Sequence, residues 1–582
     1  MSDSDSDDNC HRNAKKKSSI KKCIKEMKKE MLQNIEEREA LVNLDLFVLD
    51  NSLRETTVGA LRGHTLQNKF EIYEQIKKVG FQHCIVASFS HMTDVCDTFI
   101  EELRKREEDM STMYAFTEFA NDANSEGIPL SDLPVGLKKC KQLGIKNVII
   151  EADLVYYKYD YEKFDHNAMC ALFIERFEWI RNNLSNDSNI LVNLRDLPDA
   201  LNKVPERALK MVEFLASYRP QIFAIITEES GKYLPEELGV WIRTCKKVMN
   251  NSKFNGHFLI HVHQQWGMLD ATQIECLANG CTGIWAGVCE EGASMGHASS
   301  CLTIMNLVRM GNKKVLKKFH CEELRNAAIE VTRITTGKDP HPKQTIYGAR
   351  ALDQVFGLPQ FDPTKAKDIV GDFDMAKFFG QEATMRISIL ADEVMILTRM
   401  KRLFGDHPSH TFDIAKKMKA LMHDELRAGR KEEYHSPMGL AMLFDRAGGK
   451  LTTAMTEAIA LVNNNSANID RLIGELYEQW KQWDLRDGKA DDCLTFDNFY
   501  DGFMKGYFGC YRCSEAQQCL KAINANDDLS IDWKEFSVFL KWAGFEYPET
   551  KTSEELLDIA FRKGIIPAMQ DELIRMSKAI VS

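Results

Sequence analysis

The chain has 582 residues, 44% of them hydrophobic, with 75 basic and 86 acidic side chains and a formal charge of −11. That length exceeds one ordinary domain and leaves room for several units, one of which can be a barrel of about 250 residues. The acidic balance excludes the usual basic nucleic-acid binder, and no run of about 20 apolar residues offers a membrane span.

Residues 1–42 form a charged N-terminal arm. MSDSDSDD gives way to KKCIKEMKKEMLQNIEERE, with Ile24, Met27, Met31 and Ile35 at helical spacing. A solvated helix or arm and a basic amphipathic segment touching a membrane surface or partner are both open readings. The start lacks the apolar core of a secretory signal. The sixteen scattered cysteines, several in apolar runs as Cys84 is in HCIVASF, read as buried free thiols of a cytoplasmic protein.

Short apolar runs then alternate with amphipathic stretches. The strand candidates are 46–50, 83–89, 112–116, 147–152, 189–194, 222–226, 257–263 and 282–288. Near-continuous apolar strands mean burial on both faces, as in parallel sheets. Eight such units in about 260 residues predict a (β/α)8 TIM barrel over residues 43–312. Residues 313–465 read as a helical appendage with no strong strand, and residues 546–582 as a helical tail.

Chemistry in such barrels sits where strands end on the C-terminal side. The first strand ends Asp50-Asn51-Ser52-Leu53-Arg54-Glu55, and the seventh ends His261-Val262-His263. Histidines at i and i+2 of a strand share a face. With a carboxylate from another strand end they make a two-histidine, one-carboxylate metal set. Arg195-Asp196 also close a strand; a structural ion pair and substrate binding are both open for them.

These residues resemble the metal-dependent carbon–carbon lyases and synthases that include 3-hydroxy-3-methylglutaryl-CoA lyase, 2-isopropylmalate synthase and homocitrate synthase (the pyruvate carboxyltransferase type). The first-strand motif, the H-x-H of the seventh strand and the loop Gly287-Val288-Cys289-Glu290-Glu291-Gly292-Ala293-Ser294-Met295-Gly296-His297 carry the resemblance, over roughly residues 44–312. It implies Glu55, His261 and His263 as ligands of a divalent metal (Mg, Mn or Zn), with His297 as a further ligand. It implies Arg54 as the stabiliser of an enolate oxygen and Cys289 as a catalytic candidate; a packed thiol is the competing reading of Cys289. The chain departs from the pattern at Thr56, Thr57 and Val58, at Ile85 in the second strand, at Glu228-Glu229 in the sixth, and at Gln264-Gln265 after H-x-H. The metal centre is kept while the substrate shell is rewritten.

Residues 466–545 read as a calcium-binding EF-hand pair. In 524–535, oxygen ligands fall at Asn524, Asn526, Asp528, Ser530, Asp532 and Glu535, with Ile531 at the apolar position that pairs the loops. Leu529 stands where glycine is usual. The upstream loop fits less well: Leu494 at the pairing position leaves Asn498 in place of the bidentate glutamate, or else Asp484 opens an expanded loop.

The leading expectation is a divalent-metal-dependent lyase or synthase acting through an enolate of a 2-oxo acid or acyl-CoA, with calcium as a second ligand and regulator. The alternative is a calcium-binding sensor or scaffold on an inactive barrel. The expected partner is a small-molecule substrate, with a homodimer as a further candidate, and neither nucleic acid nor a transmembrane segment.

Overall fold

The computed structural model describes residues 5–55, 59–89, 92, 94–156, 159–353, 365–368, 371–381, 386–429, 434, 436–487, 491–508, 514–524, 528–546 and 550–562. The chain divides into two compact units: residues 1–336 with 345–347 and 368–372, and residues 337–344 with 348–367 and 373–582.

In the first unit, eight parallel strands close into a barrel in sequence order: β1 (Phe47–Asp50), β2 (His83–Ser88), β3 (Met113–Glu118), β4 (Asn147–Asp153), β5 (Ile190–Arg195), β6 (Ala224–Glu229), β7 (His257–Val262) and β8 (Gly283–Ala286). Each falls on one of the predicted apolar runs. β8 closes on β1 with Leu49 opposite Trp285 and Asp50 opposite Ala286. Phe47, Leu49, Ile85, Tyr114, Phe116, Ile149, Leu191, Ile226, Leu259 and Trp285 pack into one interior core. Burying each large apolar side chain contributes roughly 1.5–3 kcal/mol. Side chains alternate along a strand, so the residue two beyond each core position also points inward. This places Asn51, Glu151, Asn193, Glu228 and His261 together in the layer above the core.

The barrel is fastened where the chain enters and leaves it. Asn312, fully buried, donates from Nδ2 to the carbonyls of Leu41 and Leu44 at 2.7 and 2.9 Å, and its Oδ1 accepts from the amides of Lys314 and Val315 at 2.9 and 3.0 Å. Preceding β1, the helix Asp5–Asn43 spans the predicted arm. No described helix is long and apolar enough to cross a membrane.

The second unit holds helices and a short two-stranded ladder. Glu393–Phe404, Phe412–Arg427 and Pro437–Arg446 pack around Ile396, Met400, Met418, Leu443 and Phe444. The short strands Lys365–Asp368 and Gly371–Asp374 lie in the stretch expected to lack strands. The helix Thr453–Asp487 runs through 465, where the sequence suggests a boundary. Its second half supplies Trp480 to a second core shared with Phe499, Phe503 and Phe536, which Leu556 and Phe561 of the helix Ser553–Arg562 complete.

Candidate metal centre and calcium loops

His261 and His263 end β7 on the inward face. His297 reaches them because the loop after β8 turns back on that strand: Ala298 N donates to Val262 O at 3.0 Å, Gln264 N to Gly296 O at 2.8 Å, and His263 bridges His297. One nitrogen from each imidazole lies within 4.8 Å of the others. The ring of His297 stands 4.5 Å from each of the other two. Gly292 is needed here, since a Cβ on it would overlap the His297 imidazole. Gly59 is needed likewise, because a Cβ there would overlap the Ala293 backbone where the β1 loop meets the β8 loop.

Glu55 lies beside this group, against His297. Its Oε1 lies 3.8 Å from His297 Nδ1, and Asn51 Nδ2 sits between them, 3.0 Å from the carboxylate and 3.1 Å from the imidazole. Arg54 Nη1 lies 3.7 Å from Glu55 Oε1. Its guanidinium is held over the rings of Phe116 and Trp285, at 4.8 and 5.1 Å. Behind them, Lys69, fully buried, donates to the Leu53 carbonyl and fixes the loop that carries Arg54 and Glu55. The predicted ligands Glu55, His261, His263 and His297, and Arg54, thus converge at one end of the barrel. Thr56, Thr57 and Val58 lie outside the described residues.

Electrostatics divides the histidines. Burial holds His261 and His297 well below the ordinary imidazole value, reinforced by neighbouring His263. Both are neutral at pH 7. His261 Nδ1 meets the Trp285 carbonyl at 2.9 Å. A carbonyl only accepts, so Nδ1 carries the proton and Nε2 presents a lone pair. His263 differs: burial opposes its charge, but the hydrogen bond and charge of Glu228 prevail and raise it. Glu228 Oε1 lies 3.1 Å from His263 Nε2. Burial also opposes charge on Glu228, yet that hydrogen bond holds its carboxyl below the usual value.

A network absent from the sequence reading flanks this centre. Asn193 Nδ2 donates to Glu151 Oε2 at 3.0 Å and to Glu228 Oε2 at 2.5 Å. Burial and the Glu228 charge push Glu151 up to about 7, with Arg195 pulling the other way. Arg195 Nη1 meets Glu151 Oε1 at 3.4 Å, so its acidic partner is on β4. The signal was available in β4, β5 and β6, where each polar residue follows an interior core position by two.

Cys289 is placed differently. Its thiol is buried beside Thr332, and burial pushes it up to about 12. Its described hydrogen-bond partners, Thr332 and the backbone of Glu291, are outside the histidine group.

The donor set fits a divalent ion. Three imidazoles beside a carboxylate suit zinc and other borderline ions. His297 Nε2 and Asn51 Oδ1 are both buried with no hydrogen-bond partner; with the Asn51 amide turned over, Oδ1 would accept from His297 Nδ1 and leave Nε2 as a lone pair for a cation. His261 is already oriented by a backbone carbonyl, as ligating histidines usually are.

In the second unit, Cys493–Thr495 pairs antiparallel with Ser530–Asp532, setting Leu494 opposite Ile531. Each strand lies between two helices. Asn524 Nδ2 donates to the Asp528 carbonyl at 2.6 Å, leaving its buried Oδ1 without a hydrogen-bond partner. Asp528 Oδ1 accepts from Ser530 N at 2.7 Å, Asp532 Oδ1 from Glu535 N at 2.8 Å, and Glu535 Oε2 from Asp532 N at 3.0 Å. Asn526 lies outside the described residues. In the upstream loop, Asp484 Oδ2 accepts from Asp492 N at 3.2 Å while Oδ1 is buried without a partner. Asp492 takes the left-handed conformation, with φ 61°. Leu529, at the matching place of the downstream loop, is 86% exposed.

No protein-family model matches the chain, and no curated protein matches it. Solved structures do. An HMG-CoA lyase of Bacillus subtilis is 15% identical over 49% of this chain and 91% of its own, with a TM-score of 0.35. An HMG-CoA lyase of Acinetobacter baumannii, in complex with coenzyme A and 3-methylmalate, is 14% identical over 51% and 92%, with a TM-score of 0.35. The carboxyl transferase domain of Rhizobium etli pyruvate carboxylase, with 3-hydroxypyruvate, is 12% identical over 51% and 49%, with a TM-score of 0.37. The fold itself rests on the closed order of the eight strands.

Proposed function

We propose that the barrel is a divalent-metal-dependent lyase or synthase that makes or breaks a carbon–carbon bond beside a carbonyl, through an enolate of a 2-oxo acid or acyl-CoA. The observation that carries this reading is the group of three imidazoles at a barrel end, with Glu55 3.8 Å from His297 and Arg54 3.7 Å from Glu55. Glu55, His261, His263 and His297 would hold the metal, which supplies Lewis-acid polarisation of the carbonyl. Arg54 is held over two neighbouring aromatic rings, so its charge is preorganised for the oxygen on which negative charge develops. Glu151, poised near 7 and oriented by Asn193, is suited to take a proton from the carbon beside the carbonyl and return it. Trp285, Phe116 and the interior core exclude water beneath the reacting atoms.

The test is proton exchange. Protein and a divalent metal are incubated with 2-oxo acids and acyl-CoAs in deuterated water, and mass spectrometry reads deuterium uptake and products. Arg54→Ala should keep metal and fold and lose roughly 10²–10³ in rate. No exchange by the unaltered protein across the panel rejects the reading.

We also propose that the 524–535 loop binds calcium, through Asn524, Asn526, Asp528, Ser530, Asp532 and Glu535. The buried, unpartnered oxygen of Asn524 supports a cation there. If the barrel shows no turnover, the same loop supports the second reading, a calcium-binding sensor on an inactive barrel.

A further inference from the structure

The helix Asp5–Asn43 is anchored at its C-terminal end. Leu41 is buried, Glu37 lies 3.8 Å from Arg243, and Asn312 holds the Leu41 carbonyl. Further out, Ile20, Ile24, Met27, Met31 and Ile35 are between 43% and 59% exposed. At 100° per residue they fall within an arc of about 80°. Lys21 and Lys28 border that arc on one side, and Lys22, Lys25 and Lys29 continue the basic face; all five are exposed. Between Arg12 and Leu32 the sequence holds nine basic and two acidic side chains, in a chain whose net charge is −11. A local charge of opposite sign to the whole, set beside an unpartnered apolar stripe, indicates an anionic partner with an apolar interior.

We propose that this helix is a reversible surface anchor for an anionic lipid bilayer. It lies in the interfacial plane, with the isoleucine–methionine stripe among the upper acyl chains and the lysines among the headgroups. Lysine suits this arrangement, because its aliphatic stem stays in apolar surroundings while the ammonium reaches the phosphates. A nucleic acid would satisfy the lysines but not the stripe, and the helix has no Phe, Tyr or Trp to stack on bases. A second copy would satisfy the stripe poorly. The four–three spacing of a paired seam continues through Asn34 and Arg38, and pairing would bring two lysine-rich faces together.

The full chain is co-sedimented with phosphatidylcholine vesicles with and without phosphatidylserine. Binding is expected only with phosphatidylserine, weakening at least roughly tenfold as salt screens the lysines. Ile24→Glu/Met31→Glu and Lys21→Glu/Lys22→Glu/Lys25→Glu should each abolish it. The barrel's thermal transition should not move, because these side chains are exposed. Sedimentation velocity and an RNA-binding assay run alongside. Equal binding to both vesicles or binding that survives both variants overturns the proposal. So does absence of vesicle binding, whether alone, with RNA binding, or with a dimer that Ile24→Glu/Met31→Glu dissociates.

Discussion

The imidazole of His261 lies flat on the indole of Trp285, with ring centres 4.1 Å apart and planes 12° from parallel, and its Nδ1 meets the Trp285 carbonyl at 2.9 Å. One residue of β8 therefore sets both the tilt and the tautomer of a proposed ligand on β7. Trp285→Phe should keep the stack and most metal affinity. Trp285→Ala keeps the carbonyl that fixes the tautomer and loses only the stack, so affinity should fall by about tenfold, the lower end for an orienting partner, with about 3–5 kcal/mol of stability lost to the cavity. Chelator competition measures the first and denaturant unfolding the second. Equal affinity in both variants would show that the ring orients nothing.

The third imidazole gives the proposed centre its nitrogen-rich character. With His297, the protein should prefer zinc, cobalt or iron(II) over magnesium. His297→Asn should weaken cobalt binding and change the visible cobalt spectrum, while magnesium affinity changes little. An unchanged spectrum would remove His297 from the ligand set.

In the 524–535 loop, Leu529 occupies the place at which Asp492 of the upstream loop is left-handed. Leu529→Gly should tighten calcium by permitting the sharp turn, and Glu535→Gln should abolish it by removing the bidentate carboxylate. Calorimetry on the full chain with the barrel metal saturated separates the two. Identical isotherms for both variants would reject the loop as the site.

Acid should destabilise the barrel from its other end. His83 and His257 both pack on Phe47, with ring centres 4.7 and 4.3 Å from it, and His83 Nδ1 lies 3.0 Å from Tyr114 Oη. Burial, then the charges of His257 and Lys318, pull it down to about 4, and burial lowers His257 too. The unfolded chain takes up protons near pH 6.5 that the folded chain refuses. The stability is therefore fully present above about 6.5 and is lost as pH falls towards 4. His83→Phe should shift the acid transition to lower pH by circular dichroism. A transition at the same pH would exonerate this histidine.

The strands were legible because each is buried on both faces and so is apolar along its length. The metal cluster was legible in part: His261 and His263 are two apart on one strand, and Arg54 and Glu55 end another. What joins Asn193 to Glu151 and Glu228 is adjacency across β4, β5 and β6, which no single segment encodes. Glu151 reads in sequence as the polar end of an apolar run, and burial together with the Glu228 charge from β6 moves it to about 7. His297 could be named from its motif, but its approach to His263 depends on the loop folding back along β7. In the upstream calcium loop, spacing left two starting points. The pairing of Leu494 with Ile531 fixes the phase, and the unpartnered oxygen of Asp484 favours the expanded loop.

Asn312 has a consequence for how the barrel tolerates being cut. Its two donations join the chain just before β1, at Leu41 and Leu44, to residue 312, while its oxygen caps the amides of Lys314 and Val315 in its own segment. The cylinder is thus a ring of chain closed by a side-chain clasp. A short covalent linker across that clasp would replace its two crossing hydrogen bonds with a peptide, and new termini could then be opened in a loop between barrel strands. Such a circular permutant of the barrel should fold without Asn312, whereas the native order should depend on it.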